Sequence, residues 1–286
     1  MRCACVDIGS NTTRLLVAEP DPGHAGVLRV VEAERAFLRL RSADPTPQER
    51  AALAGVVRHQ LELARAAGAA RVRVVGTAAL RCAPGLAEEL AAAAGVAVEV
   101  LTGQEEARLA FLGATAALPR DGVTVAVVDV GGGSTEIAAG TPGGAVRWWA
   151  SLPVGSGVVT DAHLPADPPE AAQLERARAA VEAVVAAAGC PGVDQAWAVG
   201  GSATSLRRFV GEELSAEALD RALAALAVAP SADAAARLGL HAERARLLPA
   251  GLLLLGALAR ALGCPLRVGG GGLREGVVLD LLQHDV

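Results

Sequence analysis

The sequence predicts an α/β protein built from two similar lobes, and three observations carry that expectation. Its 286 residues, at roughly 150 per domain, make about two domains. Strand-like apolar runs alternate with helix-like periods in both halves, the pattern of an α/β fold. Finally, Asp7-Ile8-Gly9-Ser10-Asn11-Thr12-Thr13 returns as Asp129-Val130-Gly131-Gly132-Gly133-Ser134-Thr135, an offset of 122 residues. That interval is far longer than a solenoid period, so it marks a duplicated unit.

The first lobe, residues 1–118, opens with a strand at Cys3–Ile8, a polar turn through Gly9 and Asn11, and a returning strand over 14–18. β-rich runs flanking Gly and Asn signal such a hairpin. A second ribbon is expected over 27–40, and Pro45 and Pro47 then break the chain. In 48–67, Leu53, Val56, Val57, Leu61 and Leu63 lie close to a 3.6-residue period, which predicts a helix. A strand at Arg71–Gly76, a helix over 84–94 and a strand over 96–101 follow. Residues 102–117 read as helix, with Thr102 as N-cap and Glu105 three residues on forming a capping box.

The turn-rich break at 119–122 is the expected boundary, and the second lobe is assigned to 119–286. It begins with a strand over 123–128, a glycine turn over 131–133, a strand over 136–139 and a further turn over 140–144. An Ala-rich helix over 168–188 comes next, then a strand at Gln195–Val199 that enters Gly200-Gly201. A buried helix over 249–262, a strand at Leu266–Val268 and a helix over 273–282 close the chain.

Composition removes several chemistries. All 26 basic residues are Arg, there is no Tyr, and 31 acidic residues leave a net charge of −5. Without Lys there is no P-loop lysine and no Schiff-base lysine, so P-loop NTPases and pyridoxal-phosphate enzymes are excluded. The acidic balance, with three Phe and three Trp, argues against a nucleic-acid partner, whose phosphates call for cationic surface and whose bases call for stacking platforms. Cys3, Cys5, Cys82, Cys190 and Cys264 show no metal-ligand spacing beyond Cys3-Ala-Cys5, which sits in an apolar run and reads as core. Unpaired cysteines fit a reducing cytoplasm. The longest uncharged stretch, residues 247–259, contains Pro249 and is too short to span a bilayer. His24, His59, His163, His241 and His284 fall outside every motif and read as structural or exposed.

The duplicated string has a chemical use. Glycine lets the backbone bend and approach a ligand, presenting N–H groups to phosphate oxygens. Ser and Thr hydroxyls add donors, and an Asp at the strand end can hold hydrated Mg²⁺ or orient water. Asp129 and Glu136 flank the second turn, so a tight hairpin brings two carboxylates together, a repulsive arrangement without a cation. Glu105 is accounted for by the capping box. Glu106, next along, lies in the first helical turn, where the dipole favours the ionised form that a general base requires.

The paired loops resemble the phosphate loops of the actin/hexokinase/acetate-kinase superfamily. Longer strings narrow the resemblance: residues 6–12, Gly76-Thr77-Ala78-Ala79-Leu80-Arg81, Gly103-Gln104-Glu105-Glu106-Ala107-Arg108-Leu109 and residues 129–136. With Ser151-Leu152-Pro153-Val154-Gly155-Ser156, Gly200-Gly201-Ser202-Ala203-Thr204 and Gly271-Gly272-Leu273-Arg274-Glu275-Gly276, their order is similar to that of the exopolyphosphatase / guanosine pentaphosphate phosphatase (Ppx–GppA) family. The resemblance implies two lobes of the actin-like ATPase (ASKHA, ribonuclease H-like) fold with an interlobe cleft. It implies Glu106 as catalytic base, Arg81 facing the phosphate chain, and Ser10, Asn11, Thr12, Gly132, Gly133, Ser134 and Thr135 as phosphate ligands. Asp129, Glu136 and Asp7 are the implied carboxylates for Mg²⁺. Arg14 is a weaker candidate beside the first loop, and Arg274 and Glu275 are expected to make structural contacts.

The implied reaction is Mg²⁺-dependent release of orthophosphate from inorganic polyphosphate. Hydrolysis of guanosine pentaphosphate by the same residues, phosphoryl transfer from ATP by a superfamily kinase, and a non-catalytic polyphosphate- or nucleotide-binding regulator stay open. An apolar strip at Leu252, Leu253, Leu254 and Leu255, if exposed, can support a homodimer. Residues 37–45 lack the glycine-containing stretch expected after Phe37-Leu38-Arg39-Leu40.

Overall fold

The computed structural model describes residues 1–40, 44–207 and 209–283. Arg41, Ser42 and Ala43, in the break after Leu40, and His284 lie outside the described residues. Two compact units divide the chain: Met1–Pro119 together with the segment from Gly271 onward, and Arg120–Gly270.

The first unit opens with β1 (Cys3–Ile8), β2 (Thr12–Pro20) and β3 (Leu28–Phe37). The ribbon expected over 27–40 is a single strand, because β3 pairs with β2 from Thr12↔Phe37 to Pro20↔Leu28. After α1 (Pro47–Ala66) come β4 (Arg71–Gly76), the one-turn α2 (Ala78–Arg81), α3 (Leu86–Ala94), β5 (Val98–Val100) and α4 (Gly103–Thr115). The sheet order is β3-β2-β1-β4-β5, with β2 antiparallel to β1 and β3 and with β1, β4 and β5 parallel. Successive strand residues face opposite ways, so Ala4, Val6 and Ile8 pack with Leu53, Val57 and Leu61 of α1 and with Leu86 and Leu90 of α3. Cys3 and Cys5 point into the opposite layer, and both are fully buried core residues.

The second unit repeats the plan. It runs β6 (Val125–Val130), β7 (Thr135–Gly140), β8 (Val146–Leu152), α5 (Ser156–His163), α6 (Ala171–Ala188), β9 (Gln195–Val199) and α7 (Gly200–Leu206). Then follow β10 (Glu213–Leu214), α8 (Ala216–Leu226), α9 (Ser231–Leu238), α10 (Ala242–Arg246), α11 (Leu248–Leu262) and β11 (Leu266–Val268). Its sheet order is β10-β11-β9-β6-β7-β8. Read from β8, the first five strands match β3-β2-β1-β4-β5 in order and direction.

Two features of the fold differ from what the sequence predicts. Leu252, Leu253, Leu254 and Leu255 are each at most 3% exposed. A helix apolar on every side seeks the interior, and α11 lies in the core among residues of α6 and α8. The strip therefore offers no dimer face. The final helix, α12 (Leu273–Gln283), was expected in the second lobe but groups with the first unit. It lies against β1 and α4, placing Leu273, Val277 and Val278 with Cys3, Cys5, Leu16, Val75 and Leu109. Gly113 and Gly276 let α4 and α12 approach so closely that a Cβ at either would collide with the other helix's backbone. No helix among the described residues is long and apolar enough to cross a membrane.

Candidate active site

Both glycine turns are closed by the same bond. Gly9 N–H donates to Thr12 O at 3.0 Å, and Gly131 N–H donates to Ser134 O at 3.0 Å. The flanking registers also correspond, Ile8↔Thr13 in one hairpin and Val130↔Thr135 in the other. One residue further from each tip, the two copies diverge. Asp7 stands opposite Arg14, and Asp129 stands opposite Glu136.

In the first unit the row continues to Arg35, which pairs with Arg14 across β2 and β3. Asp7 Oδ1 is enclosed and has no hydrogen-bond partner among the described residues. Burial pushes the Asp7 carboxyl above its ordinary range; Arg14 and Arg274 pull it down, and Glu275 pushes it up. Ser10, Asn11 and Thr12 form the turn beside it. Arg274 and Glu275 lie at the start of α12, 3.7 Å apart, and Glu275 Oε2 accepts from Gly272 N–H at 2.9 Å. Glu275 therefore caps its own helix.

In the second unit Glu136 is 2% exposed, and its Oε1 accepts from Ser151 Oγ at 2.8 Å. Like charges directly opposed across a ladder repel, so the Asp129–Glu136 pair suits a cation. Gly200, at φ +80°, leaves room for Asp129 Oδ1 where a Cβ would collide with it. Mg²⁺ retains several waters and takes one or two carboxylates together with substrate phosphate oxygens, a donor set this pair fits. Among the described residues no group of three or more His, Cys, Asp or Glu forms a metal cluster. Ser134 and Thr135 are buried, whereas Gly132 and Gly133 are half-buried.

Glu106 and Arg81 meet across 25 residues of sequence. Leu101 N–H donates to Gly76 O at 2.9 Å, tying the end of β5 to the end of β4. Thr102 then caps α4 as expected: its N–H donates to Glu105 Oε2 at 3.1 Å, and Glu105 N–H donates to Thr102 Oγ at 3.2 Å. These Thr102 bonds hold the Glu105 carboxyl below its ordinary range. The next residue, Glu106, is 6% exposed. Arg81 Nη1, on α2, donates to Glu106 Oε2 at 2.7 Å and to Leu101 O at 2.9 Å. The Arg81 guanidinium and the positive end of the helix dipole thus both meet the Glu106 carboxyl in the first turn of α4.

Sequence reasoning did not single out Arg244, on α10. It is 6% exposed, and its guanidinium occupies the space into which a Cβ at Gly201 would project. The signal in the sequence is faint, since Arg244 is one arginine among 26. Only the fold brings it to the start of α7.

Two units of matching strand order, each opening on a strand, a glycine turn and a returning strand, define a two-lobed protein of the actin-like ATPase fold. The chain belongs to the Ppx/GppA phosphatase family, whose model matches residues 17–285. It is 37% identical over 191 residues to exopolyphosphatase 2 of Mycobacterium tuberculosis, covering 62% of this chain and 59% of that protein. It is 30% identical to the guanosine-5'-triphosphate,3'-diphosphate pyrophosphatase of Aeromonas hydrophila, covering 99% of this chain and 60% of that one. The chain thus spans about three fifths of these relatives' lengths. The crystal structure of the Aquifex aeolicus family member matches with a TM-score of 0.83 at 26% identity, covering 100% of this chain and 99% of that one.

Proposed function

We propose that this chain is a cytoplasmic, Mg²⁺-dependent exopolyphosphatase that releases orthophosphate from the end of inorganic polyphosphate. The observation that carries this reading is the buried Glu106–Arg81 pair at the start of α4. In this role Glu106 takes the proton of the attacking water as general base. Arg81 orients that carboxylate and adds positive charge where phosphoryl oxygens gather charge. Ser10, Asn11 and Thr12 in one hairpin, and Gly132, Gly133, Ser134 and Thr135 in the other, supply N–H and hydroxyl donors to phosphate oxygens. Asp129 and Glu136 would hold the cation, with Asp7 the equivalent carboxylate of the other hairpin. When bound, Mg²⁺ neutralises phosphate charge and polarises the phosphoryl group.

Guanosine pentaphosphate is the second substrate supported, because the similarity to the Aeromonas pyrophosphatase extends over 99% of the chain. The test measures orthophosphate release from polyphosphates of defined length, guanosine pentaphosphate and ATP, with and without Mg²⁺. Polyphosphate turnover that requires Mg²⁺ is expected, and Glu106→Gln should lower kcat by about 10²–10⁴-fold, the span of general-base catalysis, while the fold is retained. A preference for guanosine pentaphosphate would reverse the order of the two readings. Near-normal turnover by Glu106→Gln would sink both.

A further inference from the structure

The start of α5 is fastened to the second glycine turn in a way that, among the described residues, the first turn does not share. Ser156 N–H donates to Gly131 O at 2.9 Å, and Ser156 Oγ donates to the same carbonyl at 3.1 Å. Gly157 and Val158 N–H groups both donate to Gly132 O, at 2.9 and 3.2 Å. Thr135 Oγ1 donates back to Val154 O at 2.7 Å, closing the clasp from the other side. Gly155 has φ −130°, which any residue adopts, so its role is space. A Cβ there would lie 2.6 Å from both C and O of Gly132. The first turn is held by Leu40 N–H on Ser10 O at 2.9 Å and by Thr77 N–H on Ile8 O at 3.2 Å.

Peptide planarity turns this clasp into a statement about donors. In a trans peptide the C=O of one residue and the N–H of the next point in opposite directions. Drawing the Gly131 carbonyl onto α5 therefore turns the Gly132 N–H away from α5. Drawing the Gly132 carbonyl onto α5 does the same for the Gly133 N–H. Consecutive N–H groups aimed to one side make an anion-binding concavity.

We propose that Gly155 and Ser156 are positioning residues for phosphate binding, clasping the turn so that the Gly132 and Gly133 N–H groups face a bound phosphate. This rests on reading the turn as a phosphate ligand, and it deepens that reading by naming what aims the donors. The experiment measures binding of inorganic tripolyphosphate with Mg²⁺ by calorimetry on the full chain, with a thermal melt of each variant. Ser156→Ala should weaken binding by about threefold to tenfold, the span of one hydrogen bond, and Ser156→Thr should restore it. Gly155→Ala should weaken it further; if that variant does not fold, the two Ser156 variants decide the matter. Unchanged tripolyphosphate affinity in Ser156→Ala with only a lowered Tm would show a merely structural contact and overturn the proposal. So would failure of Ser156→Thr to rescue, or a wild-type chain that binds no tripolyphosphate. A wild-type chain that binds tripolyphosphate without hydrolysing polyphosphate refutes the hydrolase reading instead, and loss of that binding in Ser156→Ala still supports the clasp.

Discussion

Asp7 and Asp129 hold equivalent places in the two sheets, yet one faces Arg14 and the other faces Glu136. The first carboxylate has guanidinium charge built in; the second stands beside another carboxylate and suits a cation from solution. Asp7 nevertheless carries a cost of burial, since desolvation outweighs Arg14 and Arg274 and leaves its carboxyl raised. A raised folded value means that the native state binds the proton more tightly than the unfolded chain does. The stability tied to that proton is fully present below the ordinary Asp range near pH 4. It is lost as pH rises through the folded value. Asp7→Asn should therefore melt at a higher temperature than wild type at pH 7, with the gap narrowing as pH falls from the folded value towards about 4 and levelling off below it. Metal-free thermal melts across that range check this; a gap that does not change with pH would assign the effect to packing alone.

Elements carry the site through their ends. The capping box at Thr102 fixes the first turn of α4, and Glu106 is in that turn. Thr102→Ala should destabilise the chain by about 1 kcal/mol and also lower kcat, because fraying of that turn displaces Glu106 from Arg81. A melt and a kcat measurement together check it, and a loss of stability with kcat intact would separate the cap from the chemistry. This cap was legible in the sequence because Thr102 and Glu105 are three residues apart and the motif is local. So were β1, β4, β9 and β11, whose bounds match the expected runs, and the Asp129–Glu136 register, which a tight hairpin dictates. The four-residue α2 was not, since one turn is too short to show a period. Nor were α5 and α7, which begin at Gly-containing segments whose low helix propensity gives no start signal. The Arg81–Glu106 bond and the Arg244–Gly201 approach escaped for another reason. They join residues far apart in sequence: Arg81 and Glu106 are each legible in their own strings but nothing local pairs them, and no local pattern singles out Arg244 among 26 arginines.

At the scale of the whole molecule, the chain leaves the first unit near Pro119 and returns to it after Gly270, so a segment remote in sequence completes the layer behind Glu106. Leu273, Val277 and Val278 of α12 are each at most 7% exposed. At about 1.5–3 kcal/mol per buried side chain, these three contribute roughly 5–9 kcal/mol as an upper bound. That is comparable with the whole stability of a typical domain, about 5–15 kcal/mol. Polar contacts add to the attachment: Asp280 accepts from Arg73 at 3.0 Å and from Arg108 at 3.1 Å, linking α12 to β4 and α4. Gly276 lies against the backbone of Leu109, one helical turn beyond Glu106. A chain ended after Gly270 should consequently lose the cooperative fold of the first unit while the second unit, whose 120–270 core contains no part of α12, stays folded. Limited proteolysis resolves the two outcomes: fragments from 120–270 should persist while 1–119 is digested. Survival of 1–119 at wild-type resistance would mean that the first unit is stable without its returning helix. In that event α12 would serve only to tune the position of α4, and the energetic weight assigned to its three apolar side chains would be too large.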